Sequence, residues 1–271
     1  MTMKTIAQLF DLSGKGAVVT GGAMGIGQGI AFRLAEAGAG VMVADIDLKA
    51  ATQTAKQIEA RGGKAQATYA DVNSAADAEK VAQATVDAFG SLDILVNNAG
   101  IFPTSKFLDT SEELWDKVLD INLKGAFLYS QAASRAMIKA GHGGKIINIA
   151  SIEAMKPMMA HAPYSTSKGG LAMLTKSMAL ELAANKILVN AVAPGGIQTP
   201  GATGCATSMR QTLDMTKEEL EKFGQAFLQR MPVGRMGKPD DVAKVVLFLA
   251  SGAADFITGE LILVDGGYLL S

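Results

Sequence analysis

The sequence predicts a doubly wound α/β fold: one domain built on a parallel sheet of about seven strands with helices on both faces. Three observations predict it. Short runs rich in Val and Ile alternate along the chain with longer segments of helical period, most of the strand runs are continuously apolar, and no linker or low-complexity stretch divides the 271 residues. A continuously apolar strand is buried on both faces, the situation of parallel pairing, and each parallel step needs a right-handed crossover.

The strands fall at 16–20, 40–44, 64–70, 92–97, 145–150, 187–193 and 260–264, and the helical patterns at 26–38, 47–61, 75–89, 111–140, 163–184 and 239–251. The first strand ends at Thr20 and turns through Gly21-Gly22-Ala23-Met24-Gly25-Ile26-Gly27 into a helix. Glycines at 21, 25 and 27 permit a sharp turn and close backbone approach to a pyrophosphate, at which the helix aims its free N–H groups and positive dipole end. Alone, such a turn is also an ordinary strand-to-helix connection. The second strand, Val41-Met42-Val43-Ala44, adds a second signal. It ends in Asp45, 18 residues past Gly27, close to the spacing of about 20 at which an acid bonds the adenosine ribose hydroxyls. A carboxylate there repels a 2′-phosphate, and neither Met24 nor Ile46 supplies a cation to attract one, so NAD is expected over NADP. By itself Asp45 would fit equally well as a solvated strand-end acid or a cap for the next helix.

Between Pro194 and about Gly237 the alternation breaks. Connections of this length in compact domains are functional lids or disordered segments. This one leaves the carboxyl end of a strand, where ligands bind in such sheets, so 195–237 reads as a lid over the substrate, with a surface insertion as the plainer alternative. Thr216-Lys217-Glu218-Glu219 within it has the pattern of a helix start.

Composition excludes several functions. With 25 Lys plus Arg against 26 Asp plus Glu, the net charge is −1, and no run of five like charges offers a nucleic-acid groove. A single Cys, Cys205, cannot form an internal disulfide, and with only His142 and His161 beside it no metal-ligand spacing exists. No apolar stretch of signal-peptide or membrane-spanning type occurs, so a cytoplasmic protein is expected. Chemistry at neutral pH from such a chain points to a borrowed organic cofactor. A Ser/His/Asp hydrolase does not fit, because Ser151 lacks the Gly-x-Ser-x-Gly elbow.

Seven blocks then accumulate in order: Thr20-Gly21-x-x-x-Gly25-x-Gly27, Asp71-Val72, Asn97-Asn98-Ala99-Gly100, Asn122, Ser151, Tyr164-x-x-x-Lys168 and Pro194-Gly195. In them the chain resembles the short-chain dehydrogenase/reductase family from about Lys15 to Gly267. The resemblance implies a Rossmann-type sheet binding a nicotinamide dinucleotide, with contacts from Gly21, Met24, Gly25, Ile26, Gly27, Asp45 and Ile46. It also implies that Asp71 and Val72 meet the adenine, and that Asn98, Ala99 and Gly100 lie under the adenosine ribose, Asn98 and Gly100 contributing backbone. Asn97 could instead tie neighbouring strands. Pro194, Gly195, the backbone of Ile197 and the hydroxyl of Thr199 are implied to hold the nicotinamide, although Gly196 would give that turn more freedom. Asn122 is implied to hold a water in a proton path from Lys168. An Asn in the long helix could also be satisfied locally by backbone.

Tyr164 and Lys168, four apart on a helix, share one face. A free Tyr, with a pKa of about 10, is a poor base near neutrality. Lowering it by two to three units would take roughly 3–4 kcal/mol, which the Lys168 ammonium can supply in a desolvated site. Ser151, 13 residues before Tyr164, can donate to the substrate oxygen as charge develops there. The expected reaction is therefore interconversion of a secondary alcohol and a ketone.

The substrate is less legible. Three Met between Ser151 and Tyr164, Met159 among them, and Met209, Leu213, Met215, Phe223 and Phe227 beyond suggest a hydrophobic or ring portion, although core or subunit packing explains them equally. Glu153 and His161 could touch a polar substituent, with a solvated Glu and a loop His the more ordinary reading. Alternatives are a sugar or polyol, which would need more hydrogen-bonding side chains near Ser151, a 3-oxoacyl thioester, against which Asp45 counts, and a non-catalytic dinucleotide sensor. Leu171, Met173, Leu174, Met178 and Leu182 make the catalytic helix unusually apolar. This suggests burial against another subunit, and the family resemblance implies a homotetramer.

Overall fold

The computed structural model describes residues 3–271. Its seven strands are β1 (Gly16–Thr20), β2 (Gly40–Asp45), β3 (Lys64–Tyr69), β4 (Ile94–Asn97), β5 (Gly144–Ile149), β6 (Ile187–Pro194) and β7 (Leu261–Val264). They form one sheet in the order β3-β2-β1-β4-β5-β6-β7, every pairing parallel. The helices are α1 (Ile6–Phe10), α2 (Gly25–Glu36), α3 (Leu48–Glu59), α4 (Ala75–Phe89), α5 (Glu112–Leu119), α6 (Gly125–Ala140), α7 (Ala162–Leu182), α8 (Pro200–Thr212), α9 (Lys217–Gln229) and α10 (Pro239–Ala250).

Alternate residues of the central strands serve opposite layers, which is why those strands read as unbroken apolar runs. Val19, Val41, Val43 and Val96 pack with Ile30 and Leu34 of α2, Ile58 of α3 and Val246 of α10. Val18, Met42, Leu95 and Ile146 pack on the other face with Val81 of α4, Met137 of α6 and Ala179 of α7. Polar caps start the crossover helices: Asp47, Ser74 and Ser111 accept the N–H groups of Ala50, Asp77 and Leu114.

The long helix expected at 111–140 is interrupted. Asp120–Lys124 forms one π-helical turn between α5 and α6, with Gly125 N–H reaching Asp120 C=O, and Asn122 lies buried inside it. A single π turn of this kind commonly marks a functional position. The fourth strand starts at Ile94 and not at 92, because Asp93 turns its carboxylate back to Gly16 N–H at 3.0 Å and the Lys15 ammonium at 2.8 Å.

Residues 195–237 are ordered into two helices. The expected start at Thr216 is a full capping box with Glu219. Helix α8 has no counterpart in the sequence reading, since two Gly and three Thr in thirteen residues are poor helix formers. Tertiary contacts compensate: Thr199 caps it, Met209 is buried, and Thr104 Oγ1 lies 2.6 Å from Ser208 Oγ and 2.8 Å from Thr212 Oγ1.

Candidate active site

At the carboxyl edge of β1, backbone forms the cleft. A Cβ on Gly27 would stand 2.2 Å from Gly21 O, and one on Gly21, whose φ is +61°, would stand 2.8 Å from Ala99 Cα. Only hydrogen fits at either position. The loop after β4 braces this turn: Asn98 Nδ2 donates to the carbonyls of Thr20 (3.0 Å) and Gly21 (2.9 Å), while Thr20 Oγ1 accepts from the N–H groups of Asn98 and Ala99. Asn98 N–H is thus already committed, and the side chain that sequence reading passed over holds the glycine turn in shape. Asn97 ties strands instead, donating to Asn148 Oδ1 at 2.8 Å and Ser130 Oγ at 2.9 Å.

The N-cap of α2, Met24, makes no side-chain cap, so its side chain satisfies none of the helix's first N–H groups. Asp45 Oδ2 accepts from Ala23 N–H and Oδ1 from Asp47 N–H, each at 3.0 Å. Asp47, and not Asp45, caps α3. The Asp45 carboxylate is therefore fixed at the end of β2 with lone pairs to spare, between the exposed side chains of Met24 and Ile46. Asp71 is held similarly by Asn73 N–H at 2.9 Å, and Val72 packs where Gly125 begins α6. A glycine turn closed to any Cβ, a helix N-terminus without a side-chain cap and a fixed carboxylate together fit a dinucleotide.

At the far end of the cleft, the freedom expected of Gly196 is not present. Gly237 N–H bonds Gly196 C=O and Gln198 N–H bonds Gly237 C=O, both at 2.9 Å, so Ile197 sits in a β-bridge with Gly237. A Cβ on Gly196 would crowd the side-chain tips of Phe227, Met231 and Met236 at 2.5, 2.7 and 2.8 Å. Pro194 closes β6, and Gly195 is held by Val264 C=O at 3.0 Å. Thr199 Oγ1 caps α8 while its methyl faces Gly25, leaving the hydroxyl hydrogen available.

Tyr164 and Lys168 project from the first turns of α7, which opens with Pro163. Lys168 Nζ lies 5.6 Å from the Tyr164 ring centroid and donates to Ile149 C=O at 2.7 Å. Burial draws Lys168 down to about 8, against a smaller upward pull from Glu153. Burial likewise pushes Tyr164 well above the usual range for a phenol; the Ser151 hydroxyl works against this, and Glu153 and Cys205 add to it. The expected lowering of Tyr164 by Lys168 is thus reversed in the protein alone. The ammonium is engaged with a carbonyl, and desolvation dominates.

Ser151 Oγ accepts from Glu153 N–H at 3.1 Å, which leaves its own hydrogen for the phenol oxygen of Tyr164 or for a substrate oxygen. Asn122 makes a two-pronged contact with Ile101: Oδ1 accepts from its N–H and Nδ2 donates to its C=O, both at 2.8 Å, and Nδ2 also reaches Ser167 Oγ. Backbone does satisfy the amide, but backbone 21 residues away. Beside it, Gly100 permits close approach, since a Cβ there would lie 3.2 Å from Asn122 Oδ1 and 3.6 Å from Lys168 Nζ.

Glu153 and His161 are neither solvated nor loose. They are 8% and 3% exposed, and His161 Nδ1 lies 3.1 and 3.3 Å from the two carboxylate oxygens of Glu153, which also accepts from Ser165 Oγ at 2.7 Å. Met159, by contrast, stands 75% exposed and does not join them. Helix α8 closes over this end. The rings of Phe102 and His161 each meet Tyr164 edge-on, at 5.9 and 5.8 Å between centroids. A Cβ on Gly201 would touch Phe102 at 2.8 Å, and Cys205 Sγ lies 3.6 Å from His161 Nε2. Phe102, Gly201 and Cys205 carry no local signal, because they meet only when α8 docks.

The family model described as enoyl-(acyl carrier protein) reductase matches residues 21–269. A (2S)-[(R)-hydroxy(phenyl)methyl]succinyl-CoA dehydrogenase subunit of Thauera aromatica is 40% identical, over 93% of this chain and 95% of its own. The 2-dehydro-3-deoxy-D-gluconate 5-dehydrogenase of Dickeya dadantii is 38% identical, over 97% and 99%. A crystal structure of a candidate 2-deoxy-D-gluconate 3-dehydrogenase from Agrobacterium tumefaciens with bound NADP is 38% identical over 97% of this chain and 99% of its own, with a TM-score of 0.85.

Proposed function

The chain belongs to the short-chain dehydrogenase/reductase family of oxidoreductases, and from that premise we propose that it interconverts a secondary alcohol and a ketone with NAD. The observation that carries the reading is the convergence of Ser151, Tyr164 and Lys168 on one end of the glycine-lined cleft, under α8. When bound, the nicotinamide supplies or accepts the hydride.

The protein's own groups handle the proton. Tyr164 gives or takes it at the phenol oxygen, and Ser151 donates its O–H to the substrate oxygen as charge develops there. Lys168, released from Ile149 C=O, would bring its ammonium to bear on the phenol and offset the effect of burial. Asn122 braces Ile101 beside Lys168, with both atoms of its amide committed to Ile101 and Ser167. The preference for NAD over NADP rests on the Asp45 carboxylate. The α8–α9 segment acts as the substrate lid.

A substrate with a hydrophobic or ring portion is proposed on the Phe102 ring, which stands edge-on to Tyr164; Met209 is buried and Phe227 lies against Tyr268, so these two serve packing within the subunit. A hydroxylated substrate is the second reading, favoured by one observation: the buried polar pair Glu153–His161 beside Ser151, with the Dickeya relative acting on a sugar acid by its name. A panel of aromatic, cyclic, polyol and hydroxyacyl secondary alcohols, assayed by NADH absorbance, tests the reaction and separates the two. No turnover of any member would remove the reading.

A homotetramer is proposed through α7, where Met173 and Leu180 are 62% and 83% exposed. Leu171 is buried within the subunit and takes no part. Light scattering should give four chains, and a stable monomer would exclude the contact. No helix among the described residues is long and apolar enough to cross a membrane.

A further inference from the structure

The turn that carries Ser151 rests on a small core of its own. Ser151 Oγ accepts Glu153 N–H and so caps the 3₁₀ turn Ile152–Ala154, which Glu153 ties to α7 through Ser165 Oγ at 2.7 Å. Among the described residues, Ile152 joins neither of the apolar layers on the two faces of the sheet. It is buried instead with Met231 and Tyr268, and Phe227, Met236 and Leu269 pack against these three. All but Ile152 come from α9, the residues just beyond it, or the segment that follows β7. The apolar anchor of the Ser151 turn is therefore held by the lid and by residues 265–271.

Tyr268 joins those two supports. Its ring lies 4.7 Å from that of Phe227 in α9. Arg230, at the C-cap of α9, places its guanidinium 4.4 Å from the Tyr268 ring centroid and donates from Nη1 to the Tyr268 hydroxyl at 3.2 Å. Its Nη2 reaches the backbone oxygen of Ser271, and Ser271 Oγ returns a bond to Arg230 C=O at 2.7 Å. Asp265 pins the start of the segment by accepting from the N–H groups of Gly267 and Leu269 at 2.9 and 3.0 Å.

We propose that Tyr268 is a positioning residue: through the cluster that holds Ile152 it sets Ser151 Oγ, so that seating α9 and aligning the Ser151 hydroxyl are one event. A lid that completes the reacting constellation as it closes needs such a mechanical link. The hydroxyl has to meet the substrate oxygen at hydrogen-bond distance, where a displacement of about 1 Å is worth roughly 100-fold in rate. So small a core has no redundancy, and removing its ring takes away the contact between lid and turn. The inference rests on Ser151 acting on the substrate oxygen, as proposed above.

Wild type, Tyr268→Phe, Tyr268→Ala and Arg230→Gln test it, by hydrogen exchange on peptides covering 152–155, α9, β4 and β5, and by turnover of an alcohol that the panel identifies. In Tyr268→Ala the amides of 152–155 and of α9 should exchange about tenfold faster or more, together, while those of β4 and β5 keep their rates. Its kcat should fall about 10- to 100-fold. Tyr268→Phe keeps the ring and should stay within about fivefold of wild type in both readouts. Arg230→Gln loosens residues 268–271 without removing a side chain of the cluster. It should show both effects in smaller measure, and it decides the matter if Tyr268→Ala does not fold.

A cluster that serves stability alone would lower the urea midpoint while kcat and the exchange of 152–155 stay as in wild type, which overturns the inference. Faster exchange in α9 with an unchanged Ser151 turn does the same, as does a loss in Tyr268→Phe as large as in Tyr268→Ala. The exchange arm needs no turnover. An enzyme that oxidises no alcohol therefore loses the proposed reaction, while linked exchange of 152–155 and α9 still supports the coupling. An active enzyme with unlinked exchange keeps the reaction and loses the coupling.

Discussion

The two ends of the cleft are built from different material. Where the dinucleotide would lie, the surface is backbone: Gly21 and Gly27 leave no room for a Cβ, the N-terminus of α2 has no side-chain cap, and Asp45 is fixed by two neighbouring N–H groups. Where the substrate would lie, the surface is side chains from separate elements, with Phe102, Ser151, Glu153, His161, Tyr164 and the Gly201–Cys205 face of α8 brought together. The first end is specified by short stretches of chain and serves one shape. The second depends on the docking of α8, a helix held by contacts with Phe102, Thr104 and His161 that lie outside the sheet.

Substitutions at either end can break or sharpen this contrast. The largest effect is expected at Tyr164→Phe, which should lower kcat by about 100- to 10,000-fold while NADH binding, followed by fluorescence, stays unchanged. Activity above a few per cent would remove Tyr164 from its role, and lost cofactor binding would mean that the two ends are not separable.

Next comes His161. Burial pulls its pKa down, but Cys205 and Glu153 together raise it from the ordinary 6.5 to about 9, so the stabilisation they give the protonated ring is whole below pH 6.5 and is lost as pH rises to 9. That is worth about 3 kcal/mol. Urea unfolding of wild type and His161→Gln across this range should show the difference between them shrinking. Taking the difference cancels the opposite trend from Lys168, which is common to both proteins.

Gly27→Ala should act at the other end, costing about 1–3 kcal/mol of stability and most of the NADH affinity, since its Cβ would meet backbone. Unchanged NADH titration would show that the cradle tolerates a methyl group. The smallest effect is expected at Asp45→Ala, which should narrow the preference for NAD over NADP by about tenfold. Equal use of both cofactors by the wild type, in kcat/KM, would refute the role of Asp45.

Legibility in the sequence follows the same division. The seven strands were readable because a parallel strand buried on both faces must be apolar throughout, and Asp93 moved the start of β4 only by taking a local backbone bond. The glycine turn from Thr20 to Gly27 and the shared helical face of Tyr164 and Lys168 were readable because each is a local spacing, whereas the choice between strand-end acid and helix cap at Asp45 needed the contacts with Ala23 and Asp47. The π turn at Asn122 was not, since a π turn differs from an α turn by a single residue and its cause lies at Ile101 and Ser167. Nor was the reversal at Tyr164, because a pKa answers to burial and distance, which i,i+4 spacing does not supply.

By itself the sequence determined the doubly wound sheet, the glycine turn and the placing of Tyr164 and Lys168 on one helical face, since these depend on periodicity and on residues within a few positions of one another. Only the tertiary structure decided that Glu153 and His161 are a buried pair, that a helix poor in helix formers closes over Tyr164, and that Gly196 is a packing site and not a loose joint. Those outcomes depend on desolvation and on contacts between segments far apart in the chain, and desolvation exists only once the packing is complete.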